Sequence, residues 1–158
     1  MKRILLTLVG GWLCVACGRS PAPPMAVAVR CTVGDLTVEI ERGSAVLEVM
    51  QTQEDSCLST LHTLAFLRGL YQDRFGRQDL TDSRVRVRAR DELTDIGPGV
   101  VGSTWADAID LGAVHLGAFP HELNHVRTGS GHTGWCIDYE PWSETVLGID
   151  ARTYLGCN

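Results

Sequence analysis

The segment His121-Glu122-Leu123-Asn124-His125 sets two imidazoles four residues apart with a carboxylate beside the first. Residues four apart share one face of a helix, so both rings can address a single cation. Glu122 then stands next to the first ligand, able to reach a water on that cation without binding the cation itself. Two imidazole ligands with a general base between them are what zinc-assisted hydrolysis requires, and Zn2+ is the cofactor expected here. So short a pattern also arises by chance, but three of the chain's five histidines, His121, His125 and His132, fall within one twelve-residue window. A catalytic zinc takes three protein ligands and keeps one position open. His132 is the expected third ligand, brought back by the turn that Gly129 and Gly131 permit. Glu144 is the alternative third ligand if it sits on a following helix. Cys136 is a weaker candidate, because an oxidising compartment favours a disulfide over a thiolate.

The elements that must position these residues are read from periodicity. Residues 31–41 alternate apolar and polar side chains around Gly34-Asp35, which predicts a hairpin of short strands. Thr52 with Asp55 makes a capping-box-like start, and Leu58, Leu61, Leu64, Ala65, Leu67, Leu70 and Tyr71 form a broad stripe. A helix is therefore predicted over 52–75, stopped by Gly76. Residues 83–91 alternate strictly, with Val85, Val87 and Ala89 on one side and Arg84, Arg86, Arg88 and Arg90 on the other. That is a strand whose arginines are expected to form a solvated face that discourages edge pairing. Gly97-Pro98-Gly99 breaks the chain, and residues 100–111 are expected to supply one more extended segment with Trp105, Ile109 and Leu111 as apolar members. Pro120 is tolerable in the first turn of the motif helix, Leu123 and Val126 can pack its reverse side, and Gly129-Ser130-Gly131 ends it. The expected fold class is α+β: a small mixed sheet packed on an N-terminal helix and on the helix that carries the motif.

Met1-Lys2-Arg3 and the apolar run after it read as a secretory signal, too short for a comfortable transmembrane helix. Leu13-Cys14-Val15-Ala16-Cys17 resembles the lipobox of bacterial lipoproteins, although Cys14 stands where a branched apolar residue is usual. The resemblance implies a signal over 1–16, lipidation of Cys17, a tether over 17–25 rich in Pro and small residues, and a single domain over 26–158. It places the protein in the bacterial cell envelope; Gly18 is not a retention aspartate, which favours the outer membrane over the inner. A secreted, unlipidated protein is the alternative. Cys31, Cys57, Cys136 and Cys157 remain for two disulfides, with Cys31–Cys57 and Cys136–Cys157 the expected pairing of the three possible. The whole chain carries a net charge of -5, and loss of Lys2 and Arg3 with the signal makes it -7. Such a surface argues against a nucleic-acid partner, which needs a basic face.

Phe119-Pro120-His121-Glu122-Leu123-Asn124-His125-Val126 resembles the active-site helix of the zincin superfamily of metallopeptidases, and with the element order upstream the resemblance covers residues 52–135. It implies peptide-bond hydrolysis of a protein or peptide substrate by zinc-activated water. Glu122 would polarise that water and pass its proton to the leaving amine, and Tyr139 or Tyr154 could stabilise the anionic intermediate. Trp135 and Trp142 could wall a cleft, though large aromatics are more often core. The run differs from the metzincin pattern, since His132 stands one residue farther along and no methionine follows Met50. It resembles the gluzincin branch only through Glu144 beside Trp142, so no subfamily is assigned. A contrasting expectation is a non-catalytic envelope lipoprotein that keeps this scaffold as a binding or structural module.

Overall fold

The computed structural model describes residues 20–80, 84–129, 132 and 134–149. Gly34, at a φ of 62°, lets the chain reverse so that β1 (Val27–Val33) folds back antiparallel on β2 (Leu36–Glu41). The predicted hairpin is thus present and begins four residues earlier than its sequence pattern. α1 (Gln53–Phe75) starts where its cap predicts: the Thr52 hydroxyl accepts the Asp55 N–H at 3.0 Å. It ends at Gly76, whose N–H returns to the Gln72 carbonyl.

The sheet continues through β3 (Arg84–Val87), parallel to β2, and β5 (Ala108–Leu111), parallel to β3. β4 (Gly102–Thr104) closes the edge antiparallel to β5, giving the order β1-β2-β3-β5-β4. The fold is α+β with a mixed five-stranded sheet, as expected. Residues 100–111 are not one extended segment but a two-strand hairpin, because the chain turns at Trp105-Ala106-Asp107 and the Trp105 N–H bonds to the Ala108 carbonyl at 2.7 Å.

One face of the sheet is apolar. Val38, Ile40, Val85, Val87, Ile109 and Leu111 are buried there with Leu61, Leu64 and Tyr71 of α1. Burying each aliphatic side chain contributes about 1.5–3 kcal/mol, so this layer is the main stabilising element. Cys31 and Cys57 form a disulfide that ties β1 to α1, as expected. Cys136 is also disulfide-bonded, and its expected partner Cys157 lies outside the described residues.

On the opposite face Arg86 and Arg88 overturn the expectation of a solvated arginine surface, while Arg84 is only part-buried and Arg90 is exposed, as expected. Arg86 is 3 % exposed and grips Asp110, 0 % exposed, through Nε and Nη2 at 2.5 and 2.6 Å. Arg88 donates to Asp110 at 2.9 Å and to Glu41 at 3.1 Å, Arg84 donates to Asp107 at 2.7 Å, and Arg30 pairs with Glu39. Strand register explains the burial: Arg86 stands opposite Asp110 on one side and Glu39 on the other, so the charges neutralise each other across the ladder.

Chain expected to be a tether lies over this face. The Ser20 carbonyl accepts from the Ala106 N–H at 3.1 Å, and the Ala22 N–H donates to Asp107 Oδ1 at 2.8 Å. Arg86 Nη1 donates to the Pro23 carbonyl at 2.6 Å, and the Arg42 N–H to the Ala26 carbonyl at 2.8 Å. A segment of Pro and Ala has little to add to an apolar core, yet its carbonyls suit a buried guanidinium. Residues 20–26 are therefore a strap that belongs to the fold, and residues 1–19 lie outside the described residues. Asp110→Ala should lower stability by about 3–5 kcal/mol, since it strands Arg86 without its partner. The combined Arg86→Met, Asp110→Leu change should cost far less. Denaturant midpoints of the three proteins check this, and near-equal losses would mean that the pair is solvated. No helix among the described residues is long and apolar enough to cross a membrane.

Candidate metal centre

The motif helix α2 (Phe119–Thr128) forms as expected, with Pro120 in its first turn and Gly129 as C-cap at a φ of 75°. Phe119 and Leu123 are buried, and Val126 packs against the same core. A polar clamp sets the helix's rotation. The Tyr71 hydroxyl of α1 and Arg127 Nε both donate to Asn124 Oδ1, at 2.6 and 2.8 Å. Arg127 also donates to Asp138 at 2.9 Å on α3 (Trp135–Trp142) and lies 4.7 Å from the centre of the Phe75 ring. With Asn124 held between α1 and α3, His121 and His125 are free to meet His132.

The three imidazoles converge. Ligand-capable nitrogens of His121, His125 and His132 all lie within 4.8 Å of one another, and the Nε2 atoms of His121 and His132 are 3.3 Å apart. Two imidazole nitrogens on one tetrahedral zinc, each 2.0–2.1 Å away, stand about 3.3–3.4 Å from each other. The ring centres form a near-equilateral triangle with sides of 5.0, 5.1 and 5.0 Å. Trp135 packs on all three rings, at 4.9, 4.6 and 4.8 Å, as the apolar backing of the cluster. Burial, with the neighbouring rings adding to it, holds His121 down at about 3 and His125 at about 4; burial also lowers His132. All three rings are thus neutral at pH 7, the form that binds a metal. A buried His125 Nδ1 has no hydrogen-bond partner among the described residues. An all-imidazole set with no carboxylate in it suits zinc better than calcium or magnesium.

Glu122 is 3 % exposed and lines the same cavity of about 560 Å³. The Thr104 hydroxyl of β4 donates to its Oε2 at 2.8 Å and to its main-chain carbonyl at 3.2 Å. Burial pushes the carboxyl up to about 8; the Thr104 hydrogen bond works against this, and the Asp110 charge adds to it. A divalent cation beside it would bring the value back down. The carboxylate fits only because residue 102 is glycine: a Cβ there would stand 2.6 Å from Glu122 Oε1. Gly102→Ala should displace the carboxylate while leaving the imidazoles in place. Were the site to hydrolyse a substrate through that carboxylate, a shift of this size would lower the rate about 10–100-fold at unchanged metal content. Steady-state rates beside metal analysis check it, and full activity would show that the carboxylate's position is unimportant.

Tyr139 is buried with its ring 6.0 Å from that of His121, lines the cavity, and has its pKa raised by burial. Tyr154 lies outside the described residues. Glu144 is exposed in the π-helical turn Ser143–Leu147 and is not part of the three-histidine group. Cys136, being disulfide-bonded, offers no thiolate. Trp142 is core, packed edge-on against Tyr71 and Phe75 at 5.7 and 5.3 Å, and does not line the cavity.

No family model, curated protein or solved structure matches this chain. The site therefore rests on its own geometry. Sequence reasoning missed the wall opposite α2: Gly102, Ser103 and Thr104 of β4, with His115 and Val114 on the loop before α2. The Gly-Pro-Gly break at 97–99 and the extended segment expected over 100–111 pointed to that region, but neither carried a chemical signal.

Proposed function

We propose that this chain is a zincin-like, zinc-dependent hydrolase, most simply a peptidase, exported to the cell envelope and anchored by a lipid on Cys17. The observation that carries the reading is the convergence of His121, His125 and His132 in a cavity that also contains the buried Glu122. The parallel strands β2, β3 and β5, with an antiparallel β4 at the edge beside the motif helix, support the zincin-like comparison.

The three histidines would hold the ion. When bound, zinc supplies the Lewis acidity that polarises a scissile carbonyl and makes water nucleophilic near neutral pH. Glu122 accepts the proton of the attacking water and delivers it to the departing amine. Thr104 orients that carboxylate, and Gly102 leaves room for it. Tyr139 lines the cavity, and its hydroxyl, which interacts with Ser143, would be the group to turn toward the charge that develops on the carbonyl oxygen.

The test is metal content of the purified protein, folded with its disulfides intact, followed by hydrolysis of a mixed peptide pool with and without chelator. About one zinc per chain, with cleavage lost on chelation and restored by zinc, supports the reading. A folded protein that takes up no zinc overturns it. Zinc without cleavage supports the non-catalytic module instead.

A further inference from the structure

The strap shares its contacts with the wall of the histidine cavity. Ser20 and Ala22 bond to Ala106 and Asp107, in the turn between β4 and β5, at 3.1 and 2.8 Å. Two residues before Ala106, Thr104 donates to Glu122 at 2.8 Å. One hairpin thus holds the start of the strap at its turn and the general base on its first strand. Farther along, Pro23 is held by Arg86 of the buried ion pair at 2.6 Å and Ala26 by Arg42 at 2.8 Å. A strap pinned at four points cannot swing as a flexible linker does.

Only Gly18 and Arg19 separate Cys17 from Ser20, three Cα–Cα steps that span at most about 11 Å even when fully extended. A lipid on Cys17 is therefore attached within that reach of Ser20, which is itself bonded to the β4–β5 turn. Two acyl chains on that residue would hold it at the interface, where a single chain binds only marginally. The geometry points to a lipid bilayer as the partner of the β4–β5 turn, with Glu122 held within about 30 Å of the lipid attachment point. This rests on the lipidation of Cys17 in the function proposed above. It goes beyond that reading, because an anchored domain on a floppy tether would adopt no such orientation.

The experiment uses the full chain, processed by a lipidating bacterial host and reconstituted in vesicles of phosphatidylethanolamine and phosphatidylglycerol that contain dansyl-labelled headgroups. Energy transfer from Trp105, taken as the difference between wild type and Trp105→Phe, reads the distance from the turn to the headgroups. Trp135, against the histidines, gives the comparison through Trp135→Phe. Transfer from Trp105 should exceed that from Trp135, and it should fall about twofold or more when a long Gly-Ser segment is inserted between Arg19 and Ser20. Equal Trp105 transfer with and without the insertion overturns the proposal, as does transfer from Trp135 exceeding that from Trp105. Mass analysis of the N-terminal peptide separates the two readings. An unacylated Cys17 ends the membrane orientation and leaves the zinc chemistry untouched, whereas an acylated, correctly oriented protein without zinc does the reverse.

Discussion

Glu122→Gln should bind zinc as wild type does and lose about 10²–10⁴-fold in hydrolysis, the contribution expected of a positioned general base. Glutamine is close in shape, its amide oxygen can still accept from Thr104, and it adds no atom toward Gly102. What it lacks is the capacity to take a proton. The same variant has a pH signature in the metal-free protein. A carboxyl whose folded pKa is about 8, against an ordinary value of 4.5, stabilises the fold fully below 4.5 and loses that contribution as pH rises toward 8. Metal-free Glu122→Gln should therefore match wild type in thermal midpoint near pH 4 and exceed it near pH 8. A variant that still turns over at the wild-type rate would remove Glu122 from the mechanism.

His132→Ala should weaken zinc about 100-fold or more, beyond the 10–100-fold typical of losing a group that only supports a ligand. Glu144→Ala should change it little. His132 lies 3.3 Å from His121, nitrogen to nitrogen, while Glu144 is exposed beyond α3. Competition with a chromogenic chelator measures both. Loss of metal in Glu144→Ala with retention in His132→Ala would mean that the third ligand is the glutamate and that the cluster rearranges around the ion.

Short-range chemistry was the legible part of this protein. The four-residue spacing of His121 and His125, the Thr52 cap, and the reversal at Gly34 each depend on residues a few positions apart, and each is found in place. What was hidden depends on register between distant strands. Alternation along 83–91 correctly sends Val85 and Val87 to the core, but it cannot say what lies on the other face. Arg86 is buried because Asp110 stands opposite it, 24 residues away, and because Pro23 comes over the top. The hairpin inside 100–111 turns on Trp-Ala-Asp, where Asp107 is the one turn-forming residue type and a lone aspartate is too weak a signal to announce a reversal. Thr104 gave no sign of its role because a threonine becomes a partner of Glu122 only once β4 lies beside α2.

The strap also bears on the order in which the molecule can assemble. Ala22 bonds to Asp107 across 85 positions, and Arg86 reaches Pro23 across 63. Contacts this distant close late, because the chain between them must first be gathered. A chain synthesised N-terminus first delivers the strap before the strands that bind it exist, so docking waits until β3 and β5 have paired. Until that moment Arg86 and Asp110 lie open to water, and the finished sheet is sealed by the first of its described residues to emerge.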